Sequence, residues 1–67
     1  MNIGPVKRAV EMFGSQAKLA KKANLSQGAI SKWIRGDGVP TGESAKLIEI
    51  ATGGLVTRQE LRPDIFN

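Results

Sequence analysis

The segment SQGAISKWIRG, residues 26–36, interleaves polar and basic residues with apolar ones at helical spacing. At 100° per residue its polar members share an arc of about 140°, and its large apolar members fill a separate arc of about 100°. Glutamine can form two hydrogen bonds with the adenine edge in the DNA major groove, and lysine can donate to guanine or to phosphate. This face therefore offers polyanion recognition. Its polar arc comprises Gln27, Gly28, Ser31, Lys32 and Arg35, with no acidic member.

The formal net charge of +4 is unevenly distributed along the chain. Between Met12 and Gly36 there are five basic and no acidic residues, whereas the remaining positions hold five basic and six acidic residues. A surface that is charged only for solubility does not need this separation, but a face that binds a polyanion does. A solvated basic face without any partner is the alternative interpretation.

Several classes of function are excluded by composition. The chain has no cysteine and no histidine, so the usual zinc sites and the Ser-His-Asp or Cys-His catalytic groups cannot form. No apolar run approaches the roughly 18 residues that a membrane-spanning helix needs. We expect no metal, no cofactor, no small-molecule substrate, no membrane association and no enzymatic activity, and we expect a soluble intracellular protein.

The polar arc lies on the second of two predicted short helices, which are joined by a turn at Asn24. Ser15 and Ser26 are good helix N-caps, and Asn24 is, after glycine, the residue that most readily takes a left-handed conformation. A helix-turn-helix over about residues 16–35 is therefore predicted. Trp33 lies on the apolar arc of its second helix, which predicts a core position rather than a platform for stacked bases.

Three further helices complete an all-α prediction of five helices in one domain, residues 1–67. Apolar residues at i, i+3, i+4 and i+7 over residues 6–13 predict a first helix with one buried stripe. Thr41 can cap a fourth helix. Thr57 and Glu60 have the spacing of a capping box, which predicts a short fifth helix rather than a terminal β-hairpin.

The stretch GSQAKLAKKANLSQGAISKWIRGDGVP resembles the helix-turn-helix of phage Cro and CI repressors. Together with ATGGLVTRQELRPDIF, the chain is more narrowly similar to small Cro-like repressors and to the YdaS-like bacterial antitoxin family, over roughly residues 3–66. The resemblance implies a compact domain of the lambda-repressor-like type. It also implies binding to a near-palindromic double-stranded DNA operator, commonly as a dimer, in the cytoplasm and nucleoid of a bacterial host.

The residues and the resemblance together divide the expected DNA contacts into two sets. Lys32 could contact a base or only phosphate. Gly28, where relatives usually carry a longer side chain, permits either close backbone approach to DNA or no contact. Lys21 and Lys22 are expected to contribute long-range attraction only. Base contacts are expected from Gln27, Gly28, Ser31 and Lys32, and phosphate contacts from Ser15, Gln16, Lys18, Ser26 and Arg35.

The favoured hypothesis is a transcriptional repressor that occupies an operator and blocks transcription. The alternative is an antitoxin that binds a partner toxin and represses its own operon. One domain of this size contacts too few base pairs to select an operator in a genome. We therefore expect a homodimer formed by about residues 45–66, weak in solution and completed on DNA. The apolar arc of the fourth helix and the Ile65-Phe66 tail exceed what one small core should need.

Overall fold

The computed structural model describes residues 4–66, and within that range it contains five helices and no strand. The all-α, five-helix prediction is thereby confirmed, while residues 1–3 and 67 of the predicted domain lie outside the described part. The described residues form a globule of 28 × 26 × 17 Å. Its helices are α1 (Gly4–Phe13), α2 (Gln16–Ala23), α3 (Gln27–Ile34), α4 (Gly42–Ala51) and α5 (Arg58–Leu61).

Four hydroxyl side chains determine where the last four helices begin. Each accepts a hydrogen bond from the backbone N–H three residues further on, which satisfies one of the unpaired donors at a helix N-terminus. At α5, Glu60 also accepts from the N–H of the cap residue, which completes the predicted capping box. All four predicted caps are confirmed: Ser15, Ser26, Thr41 and Thr57.

The turn between α2 and α3 has the predicted left-handed residue. Asn24 has φ 58° and ψ 45°, and it is the only residue other than glycine with positive φ among residues 4–66. Immediately after it, the Leu25 N–H donates to the Ala20 carbonyl oxygen at 2.8 Å, so a carbonyl group at the end of α2 gains a partner. This short connection brings α2 and α3 into direct contact.

The core lies between α1, α2, α3 and α4 and is closed by α5. Trp33 is buried, as its place on the apolar arc predicted. Of the four residues in the predicted buried stripe of α1, Val6 and Ala9 are buried. Val10 and Phe13 pack against the core but remain partly exposed. Apart from the buried prolines Pro5 and Pro40, the fully or almost fully buried apolar residues are Val6, Ala9, Leu19, Ala20, Ala23, Ile30, Trp33, Ala45, Ile48, Val56 and Leu61.

Ion pairs attach α5 to the two helices beside it. Arg8 of α1 donates from Nη2 to both carboxylate oxygens of Glu60 at 2.9 Å, and Arg58 of α5 donates from Nε to Oε1 of Glu49 in α4 at 2.6 Å. The Thr57 N–H and the Arg8 guanidinium lower the pKa of Glu60, and Arg58 lowers the pKa of Glu49. Both attachments therefore stabilise the fold at neutral pH and weaken as pH falls into the acidic range.

The chain end packs back onto α4, which corrects one expectation. Phe66 is partly buried against the core, and its ring has Lys46 Nζ at 5.8 Å and Arg58 Cζ at 5.6 Å from its centroid. A Cβ atom on Gly42 would lie 3.6 Å from the Phe66 ring, so the ring rests directly on the start of α4. Phe66 is therefore used within the domain, and only Ile65 of the predicted surplus tail is exposed.

Candidate nucleic-acid interface

The exposed face of α3 contains the predicted base-contacting residues. Gln27 and Gly28 are exposed in the first turn, Lys32 is exposed one turn later, and Ser31 is partly buried. The opposite face of the helix is buried through Ile30 and Trp33, so packing fixes which face of α3 meets solvent.

Neither steric contact nor backbone conformation requires glycine at position 28 within the described residues. A Cβ atom built there meets no heavy atom within 4 Å, and its backbone is helical rather than left-handed. Glycine within a helix costs stability relative to alanine, because its unfolded chain has more freedom. The fold of the described residues therefore does not require glycine at this position.

Arg35, at the end of α3, is held by the exposed Asp37 and the partly buried Ser31. Its Nε donates to Asp37 Oδ2 at 3.1 Å, and its Nη1 donates to Ser31 Oγ at 3.2 Å. Sequence reasoning missed this pairing because Asp37 stands just beyond the acid-free segment. Since the arginine and aspartate side chains are 61% and 60% exposed, the ion pair contributes little and can open toward another anion.

The starts of α2 and α3 present similar groups. The Ser15 and Ser26 oxygens each accept from a backbone N–H at 3.1 Å, which leaves their hydroxyl protons able to donate outward. Gln16, the first residue of α2, is partly buried beside a small open depression next to α1 and Ile34.

Arginines and lysines differ in their ion pairing within residues 4–66. Each of the four arginines forms an ion pair with a carboxylate, whereas none of the six lysines does so with residues 4–66. Four of these lysines belong to the helix-turn-helix, namely Lys18, Lys21, Lys22 and Lys32, and all four are exposed. Their positive charge is consequently not neutralised by any ion pair within the described part of the chain, residues 4–66.

A family described as "Bacterial toxin YdaS" matches residues 6–67 of the chain. The chain belongs to this family. It is similar to the "Putative transcriptional regulator YdaS" of Escherichia coli (strain K12), with 37% identity over 59 residues. The alignment covers 88% of this chain but 60% of that relative, so the chain spans less than two thirds of the relative's length. No solved structure gives a significant match.

The comparisons confirm the predicted resemblance to YdaS-like proteins. They give two different descriptions within the YdaS family, since the family description names a toxin and the relative's name a transcriptional regulator. Neither description names the antitoxin that the sequence suggested as an alternative. Among residues 4–66 of this YdaS family member, no helix is both long enough and apolar enough to cross a bilayer.

Proposed function

We propose that this chain is a sequence-specific double-stranded DNA-binding transcriptional repressor. The observation that supports it most is the exposed face of α3, which is free of acidic residues. This face lies within a helix-turn-helix whose lysines form no ion pair with residues 4–66. A helix of this kind can enter the major groove, where its exposed side chains meet base edges. The name of the similar YdaS protein supports a role in transcription.

Base recognition is assigned to the first two turns of α3. Gln27 is the residue best suited to an adenine, because its amide can donate and accept at once. Ser31 and Lys32 follow on the same face and can reach the next base edges. Gly28, which lacks a side chain, lets the α3 backbone approach the DNA closely.

Phosphate contacts are assigned to the ends of the two helices. Ser15 and Ser26 hold their hydroxyls and the neighbouring unpaired N–H groups at helix N-termini, where an anion is favoured. Lys18 and Arg35 add positive charge. Gln16 can add an amide donor at the start of α2. Such contacts fix the position of the protein on the duplex without specifying a sequence.

The assembly proposed for the operator is a two-fold symmetric dimer, weak in solution. Ile50 of α4 and Leu55 in the following loop are 72% and 69% exposed, and Ile65 is also exposed. These few apolar side chains offer a small contact area, and association must first overcome several kcal/mol of lost rotational and translational freedom. Binding to adjacent half-sites supplies the missing stability.

Selection of binding sites from random duplex DNA tests this proposal. We expect an enriched motif with two-fold symmetry, whose half-sites are about 34 Å apart, one turn of duplex. A single unrepeated half-site would retain the DNA-binding assignment and contradict the dimer. Failure to enrich any motif over the starting pool would contradict sequence-specific binding.

A further inference from the structure

A second surface of the domain combines positive charge with an apolar floor. An open depression of about 370 Å³ lies beside the end of α1 and the outer face of α2. Its lining is mainly apolar, and it is formed by Phe13, Lys18, Lys21 and Lys22, which we call the lysine groove. Phe13 packs partly against the core and is partly exposed where it lines the depression.

The three lysines stand on one face of α2, because residues at i, i+3 and i+4 are neighbours on a helix. None of them has a carboxylate partner among residues 4–66, so they repel one another. The helix dipole favours Lys21 and Lys22 in the last turn but disfavours Lys18 in the first. Stability of α2 alone therefore does not account for all three charges.

The shape of the lysine groove favours one class of anion over another. A DNA backbone is bound by positive charges and hydrogen-bond donors, and the ring of Phe13 supplies neither. An acidic amphipathic protein segment uses both features, since an apolar side chain can cover Phe13 while flanking carboxylates meet the lysines. The depression is large enough for such a side chain.

We propose that the lysine groove docks an acidic amphipathic segment of a partner protein. The three lysines without a carboxylate partner among residues 4–66 and the partly exposed Phe13 beside them together support this proposal, because an acidic amphipathic segment complements both. The docking does not depend on the DNA-binding assignment, because Lys21 and Lys22 are outside the proposed contacts with bases and phosphates. Lys18 belongs to both surfaces and is therefore left unchanged in the test.

The test is a titration of the isotope-labelled full chain, followed by amide NMR shifts, with a short synthetic peptide. The peptide carries glutamates around a central Trp-Leu pair. One control peptide has lysine in place of the glutamates, and another has serine in place of Trp-Leu. We expect saturable shifts centred on residues 13–22 with the acidic peptide, and binding at least about tenfold weaker with either control.

Two matched double variants locate the site. Lys21→Ala/Lys22→Ala should weaken peptide binding about tenfold, whereas Lys7→Ala/Lys46→Ala, which removes two exposed lysines elsewhere, should leave it within about twofold. Thermal unfolding of each variant establishes that both are folded. Binding of duplex DNA should decrease to a similar extent in both, because only long-range attraction is lost.

Three results would overturn the docking proposal. One is equal binding of the acidic and serine-substituted peptides, which would reduce the effect to non-specific charge attraction. Another is an absence of saturable shifts in residues 13–22. The third is loss of DNA affinity in Lys21→Ala/Lys22→Ala well beyond that of the control variant, without loss of peptide binding, which would make the groove part of the DNA surface. A chain that binds the peptide but no DNA would contradict only the proposed repressor function.

Discussion

Two arginine–aspartate pairs with the same spacing follow α3 and α5, and they are built differently. Arg62 is 16% exposed, donates to both oxygens of Asp64 at 2.9 and 2.7 Å, and donates to the Pro40 carbonyl oxygen at 2.7 Å. Arg35 makes one contact with Asp37 and one with Ser31, and it stays 61% exposed. The same local pattern thus fixes a chain end in one region and leaves an accessible guanidinium in the other.

A similar contrast in charge pairing separates the helix-turn-helix from the rest of the domain. Arginines of α1, α5 and the chain end are paired with acids, so this scaffold neutralises most of its own charge. The helix-turn-helix instead keeps four exposed lysines that have no carboxylate partner among residues 4–66. We interpret the first region as self-sufficient and the second as completed by an external polyanion. The variants below test that division.

Asn24→Val should give the largest effect on folding stability. A β-branched side chain in the left-handed region costs about 1–2 kcal/mol, whereas Asn24→Gly should be neutral or slightly stabilising. Chemical unfolding followed by Trp33 fluorescence measures both free energies. Equal unfolding midpoints for the two variants would show that position 24 is not held in the left-handed conformation.

Lys18→Ala should weaken binding to every duplex on the order of tenfold near 0.1 M salt. One lost phosphate contact should also flatten the slope of log K against log salt by about 0.9. Lys7→Ala removes an exposed lysine of the scaffold, so only long-range attraction is lost, and it should flatten the slope clearly less than Lys18→Ala does. If Lys18→Ala alters which sequence is preferred, its assignment to phosphate is wrong.

Gly28→Ala should change folding stability and DNA affinity in opposite directions. The substitution should raise the free energy of unfolding by about 0.5–1 kcal/mol, because nothing obstructs the added methyl group. It should at the same time weaken DNA binding severalfold, since the methyl group would stand between α3 and the bases. Gly42→Ala, in the scaffold, is the control for DNA affinity. Unchanged or tighter binding by Gly28→Ala would exclude close backbone approach.

Asp37→Asn should give the smallest effect, a gain of up to severalfold in DNA affinity. Removing this carboxylate frees Arg35 and takes a negative charge away from the proposed interface, at little cost because the pair is exposed. Asp64→Asn is the matched control and should not tighten binding. Weaker binding by Asp37→Asn would mean that Asp37 orients Arg35 productively.

The local elements could be predicted from the sequence because each rests on short-range chemistry. Ser15, Ser26 and Thr41 cap through their own hydroxyls, and Asn24 turns through its own backbone preference, so neighbouring residues suffice to identify them. Hydrophobic spacing likewise separated the two faces of α3.

Contacts between distant segments could not be predicted in this way. Periodicity showed that Phe13 belongs to an apolar stripe, but only tertiary packing decides that its ring stays partly exposed beside the lysines of α2. The packing of Phe66 against Lys46 and Arg58 depends equally on the path of the chain end. Arg35 and Asp37 are two residues apart, as are Arg62 and Asp64, so spacing alone does not show that the Arg62 side chain is much less exposed than that of Arg35.

The central claim is that α3 recognises bases, and two glutamines allow a direct test. Gln27 begins α3, and Gln59 is a comparably exposed glutamine of α5 in the scaffold. The measurement is the ratio of affinities for a selected duplex and for one altered at a single base pair, in each alanine variant. Gln27→Ala should reduce discrimination at one base pair by about 1–3 kcal/mol, while Gln59→Ala should preserve it. Discrimination that survives in Gln27→Ala at every base pair would contradict the account.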